Sequence, residues 1–66
     1  MKVDTDHLSA LMRNYRTVHP TASDVLTLDY ATERYLDTHE RLAHKSQAEV
    51  DALYDLVYNE GTRLLG

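Results

Sequence analysis

One proline and two glycines in 66 residues leave this chain almost nothing with which to break a helix. Its apolar residues recur at spacings of three and four, and no stretch alternates apolar and polar side chains long enough to read as a strand. Together these features predict an all-α fold. The single proline also sets the first boundary, because the residue before a proline avoids the helical region.

Three candidate helices follow. In the first, over residues 5–18, Asp4 or Thr5 caps the start, and Leu8, Leu11, Met12, Tyr15 and Val18 form the apolar stripe before Pro20 ends it. The second runs over 22–44, with Thr21 or Ser23 as cap and Asp24 near the positive end of the helix dipole. At about 100° per residue, Val25, Leu28, Ala31, Thr32, Tyr35, Leu36, His39, Leu42 and Ala43 share one arc, with Asp29, Glu33, Asp37, Glu40 and His44 opposite. The third begins at the capping-box sequence SQAE, in which Ser46 and Glu49 satisfy each other's amides, and covers 47–60 or on to 65. Val50, Leu53, Tyr54, Val57, Tyr58 and Leu64 form its apolar face. Gly61 reads as a left-handed cap ending this helix, in preference to a point where another backbone approaches closely.

A single helix over 22–60, roughly 58 Å long, is the alternative to a hairpin. The capping box marks a new start, and residues 44–50 offer little but Ala48 to an apolar face, so the hairpin is preferred. Short connections then set consecutive helices antiparallel. The expected architecture is a small three-helix bundle, or a helical hairpin with an extra N-terminal helix, in one domain over residues 1–66.

Self-association is expected as well. A chain this short buries only about 60% of the surface it exposes when unfolded, and the absence of cysteine removes disulfides and thiolate metal sites as remedies. No apolar run approaches the roughly 20 residues of a bilayer span, and MKVDTDHLS lacks the apolar core of a signal peptide. The expected location is therefore the cytoplasm, with no membrane partner.

The stretch HERLAH, residues 39–44, is one residue too long for the zinc-binding pattern HExxH. Histidines five apart on one helix diverge by roughly 140°, so His39 and His44 cannot share an ion. Glu33, Asp37, Glu40 and His44 do form one stripe, but it lies opposite the apolar face and reads as a solvated surface, with Arg34, Arg41 and Lys45 available for intrahelical pairing. No metal or cofactor is expected. His39 and Thr32 interrupt the apolar arc, as residues hydrogen-bonded in a core or, for His39, as a pH-sensitive group.

Three short helices rarely enclose the recessed pocket that acid–base or nucleophilic chemistry needs, and neither GxSxG nor a glycine-rich phosphate loop occurs, so no catalytic residues are assigned. Net charge by segment is +1 over residues 1–20, -2 over 21–45 and -3 over 46–66. That distribution opposes binding to phosphate backbones. The residual nucleic-acid reading is a dimeric DNA-binding regulator with Arg13 and Arg16 on the phosphates. Mimicry of phosphates by Asp29, Glu33 and Asp37, four residues apart, is weaker because basic side chains adjoin them.

Apolar residues on the wrong side carry more information. Leu26 and Tyr30 lie off the core arc of the second helix one turn apart, and Leu56 lies opposite the apolar face of the third. With five tyrosines and no Phe or Trp, the aromatic residues are those suited to half-wet interfaces. The leading reading is a non-enzymatic interaction or regulatory module, a small homo-oligomer that binds another protein through Leu26, Tyr30 and Leu56, rimmed by Glu33 and Asp37. Regulatory adaptors and phage-encoded inhibitors share this size and charge, by analogy only.

Overall fold

Each predicted segment coils, and each starts at a side chain that caps it. α1 (Thr5–Val18) follows Asp4, whose carboxylate accepts the His7 amide at 3.1 Å. α2 (Asp24–His39) follows Ser23, whose hydroxyl oxygen accepts the Leu26 amide at 3.2 Å. α3 (Gln47–Leu65) follows Ser46, which accepts the Glu49 amide at 3.2 Å in half of the expected capping box. A 3₁₀ turn at Leu42–His44 precedes α3 in the computed structural model, which describes residues 2–39 and 42–66. Among the described residues there is no strand, and no helix is long and apolar enough to cross a membrane. The long axis of 35 Å leaves no room for a single helix over 22–60.

The three helices form an all-α bundle in which α2 packs on both neighbours. α1 and α2 are antiparallel. The Asp4 amide donates to the Tyr35 hydroxyl at 2.8 Å at one end of the pair, and Arg16 meets Asp24 and Thr27 at the other. α3 returns along α2 and crosses α1, where the Thr5 hydroxyl donates to Glu60 at 2.9 Å. Leu8, Met12, Leu28, Ala31, Tyr35, Leu36 and Val57 make the core, as their three-and-four spacings require. Thr27 and Thr32 are buried with them. Thr27 is satisfied, donating to the Ser23 carbonyl and accepting from Arg16, whereas the Thr32 hydroxyl has no partner among the described residues.

Four expectations are corrected. α2 begins at Asp24 and ends at His39, short of residue 44. His39 is therefore an exposed terminal residue rather than a member of the core arc, and it stacks on Tyr35 with ring centroids 4.5 Å apart. The first turn of α1 reaches this end of α2, where the His7 and His39 rings lie 4.3 Å apart. Val18 and Val25 have the right phase but stand 71% and 58% exposed, because they sit at helix ends beyond the core.

Gly61 is the last correction. It lies buried inside α3, which continues to Leu65, and among the described residues the only one with positive φ is Gly66. A Cβ at Gly61 would stand 2.7 Å from Leu28 Cδ2, so the glycine is there for close approach.

Candidate functional site

Shortening α2 takes one candidate apart. His44 lies in the 3₁₀ turn, so His39 and His44 share no helix, and the stripe from Glu33 to His44 is not continuous. Its member Glu40 lies outside the described residues, as does Arg41.

What survives is the outward face of α2. Leu26, Tyr30, Glu33 and Asp37 follow spacings of four, three and four, which confines them to an arc of about 60°. All four are exposed, Leu26 at 53% and Tyr30 at 42%. Tyr30 does not stand alone. Its ring stacks on Tyr15 of α1 with centroids 4.7 Å apart and planes 24° from parallel, and Tyr15 meets His19 at the same distance. These rings and exposed Val18 line a shallow depression of about 220 Å³. A second depression runs on from Tyr30 past Arg34 to Glu33 and Asp37, and a third from those carboxylates to Leu36, Val50 and Tyr54. One end of the surface is aromatic and aliphatic; the other carries the two carboxylates with Arg34 beside them.

The acidic end is a ladder of like charges, since Asp29, Glu33 and Asp37 are successive i,i+4 neighbours, each pair costing a few tenths of a kcal/mol of helix stability. The ion pairs among the described residues are Arg16–Asp24 and Arg63–Glu60, and neither touches the ladder. The pairing expected of Arg34 and Lys45 with these acids is not among them. Arg41, one turn beyond Asp37, lies outside the described residues.

Tyr54 of α3 reports the local field. Its hydroxyl donates to Asp29 Oδ1 at 2.9 Å. Burial first, then that hydrogen bond and the charges of Asp29 and Glu33, push the phenol up to about 12. A raised pKa favours the neutral form in the folded chain, so this contribution is whole below pH 10 and is lost as pH rises toward 12. Tyr54→Phe should therefore flatten the alkaline fall in stability across that window. Urea melts at stepped pH, with tyrosinate absorbance to count the late-titrating ring, check this; equal alkaline slopes in both proteins would refute it.

Leu56 is 41% exposed and belongs to a separate groove on α3, between Val3 and the Glu60–Arg63 pair. The Arg63 and Thr5 hydrogen bonds hold the Glu60 carboxyl below its ordinary range. The groove shares no residue with the α2 surface.

Of the two arginines considered for DNA, Arg13 is exposed, while the Arg16 guanidinium is already taken by Asp24 and Thr27. Sequence reasoning missed Tyr15, Val18 and His19 as part of the surface, having assigned the first two to the core. The signal was the position of Tyr15 and Val18 in the last turns of α1, just before Pro20, where a bundle has least to cover them.

Comparison with protein-family models, with curated proteins and with solved structures gives no match for this chain.

Proposed function

We propose that the chain is a non-enzymatic interaction module, a small helical homo-oligomer of adaptor or inhibitor type that docks another protein on the outward face of α2. One observation carries this reading: exposed Tyr30, one turn from exposed Leu26, stands where a depression lined by Tyr15, Val18 and His19 meets one that holds the Glu33 and Asp37 carboxylates. Tyrosine anchors ringed by polar residues dominate the energetics of protein interfaces. A like-charge ladder costs helix stability, which is the usual mark of residues kept for something other than folding. The Leu56 groove is the second contact, assigned to self-association, which a 66-residue chain without cysteine has reason to use.

Affinity capture from the native host tests this with three baits: wild type, Leu26→Ala/Tyr30→Ala, and Leu56→Ala. One host protein should be held by wild type and by Leu56→Ala, and held at least about tenfold more weakly by the double variant, since truncating a tyrosine anchor costs ~2 kcal/mol. Sedimentation should give wild type a mass above 7.6 kDa that falls toward that value in Leu56→Ala. Equal capture by the double variant would remove the surface from consideration. A DNA gel shift at low salt that depends on Arg13 would favour the regulator reading instead.

A further inference from the structure

We infer that the occupant of the α2 surface is a cationic amphipathic helix of another protein, one that seats an aliphatic or aromatic side chain against Leu26 and Tyr30 and sets Lys or Arg two turns further along against Glu33 and Asp37. This rests on the docking role proposed above and adds the chemistry of what docks.

The spacing comes from α2 itself. The apolar pair is centred at residue 28 and the acidic pair at residue 35, so the two halves lie about 10.5 Å apart along the axis. The stripe from Leu26 to Asp37 spans about 16.5 Å, the length of roughly 11 helical residues in a partner. An extended partner gains most of its affinity by pairing with a free strand edge, and the described residues contain no strand. Side chains projecting from one helix into depressions beside another suit an outward helix face, and the depressions on either side of Tyr30 are placed for it.

Charge decides the rest. The ladder is opposed by neither ion pair among the described residues, and Arg34, which lines the same depression, is in neither of them; the Tyr54 phenol, kept neutral first by burial and then by its bond to Asp29, lies against the same carboxylates. Nucleic acid and acidic segments are therefore repelled. A second copy fits poorly, because a two-fold pairing of α2 with α2 about Glu33 sets that carboxylate against itself and Asp29 against Asp37. A cation at that place relieves the repulsion within the ladder as well as meeting it, so complementarity acts twice.

The test uses the full chain and labelled 18-residue alanine-based helical peptides, with fluorescence anisotropy read at 20 and 200 mM NaCl. One peptide carries two leucines one turn apart, followed two turns on by two lysines; its twin carries glutamates in place of the lysines. Wild type should bind the lysine peptide at least about tenfold more tightly than the glutamate one at low salt, and most of that preference should vanish at high salt. Glu33→Gln/Asp37→Asn should weaken the lysine peptide about fivefold and leave the glutamate peptide unchanged or tighter. Leu26→Ala/Tyr30→Ala should weaken both. If the two peptides bind alike and both are lost in Leu26→Ala/Tyr30→Ala, the docking surface stands and the cationic partner is overturned. If the lysine peptide binds that variant as well as wild type, the docking surface itself fails. No binding of either peptide to wild type, or a dimer whose α2 face is protected from hydrogen exchange, overturns the inference.

Discussion

Replacing Gly61 by valine is expected to lower stability by about 2–3 kcal/mol, enough to leave a large part of the chain unfolded in mild urea. A domain of this length rarely holds more than about 3–5 kcal/mol in total. Glycine inside a helix ordinarily costs ~1 kcal/mol against alanine, so a glycine kept at mid-helix answers to something outside the helix. Here that is Leu28, whose Cδ2 would meet a Cβ at 2.7 Å, with Met12 Sδ next at 3.7 Å. Leu28 is only 5% exposed and has little room to retreat. Gly61→Ala sets the propensity gain against one methyl collision and should lie within about 1 kcal/mol of wild type. Gly61→Val adds branching that must displace Leu28 into a packed core. Coupling it with Leu28→Ala should recover part of the loss, as a double-mutant cycle in urea melts by circular dichroism would show. A valine variant melting with wild type would mean that α3 does not approach α2 at this glycine.

Gly61 also marks where the sequence stops being sufficient. A glycine after an amphipathic run carries the same local signature whether it ends a helix or lets a neighbour in, and only Leu28, 33 residues away, distinguishes the two. The bounds of α1 were legible because Asp4 and Pro20 act through their own neighbours. So was the start of α3, through Ser46. The end of α2 was not, since the sequence periodicity continues through Leu42 and Ala43 while the helix is bounded at His39. Thr27 was missed because hydropathy ranks threonine as polar; it is buried because its hydroxyl both donates to Ser23 and accepts from Arg16. That Arg16 bond crosses the turn at Pro20, as does the pair with Asp24, and a count of charges along the chain shows neither. Leu26, Tyr30, Glu33 and Asp37 share a face by spacing alone, and that much was legible. Its extension through Tyr15 and Val18 needed the packing of α1 on α2.

Tyr35→Ala is expected to have the largest effect of any single change, about 3–5 kcal/mol, which equals the whole stability expected of a 66-residue chain. The ring is 2% exposed and stacks on His39, with planes 9° from parallel, while His7 of α1 lies 5.8 Å away. Its hydroxyl accepts the Asp4 amide, at the residue that caps α1. One side chain thus joins the end of α2 to the first turn of α1, and removing it leaves a cavity in the core between them. Tyr35→Phe separates the two contributions. Asp4 is exposed, so water can take up its amide when the hydroxyl is lost, and the cost should be only about 1 kcal/mol, or 4–8 °C in melting temperature. The alanine variant should show no cooperative melt at 25 °C and above, with helix signal largely lost. A Tyr35→Ala melt within a few degrees of Tyr35→Phe would contradict the burial of this ring between the start of α1 and the end of α2. Because Tyr35 shares α2 with Tyr30 but faces the other way, the peptide preferences expected of the outward face should persist in Tyr35→Phe, and their loss there would tie that face to the core.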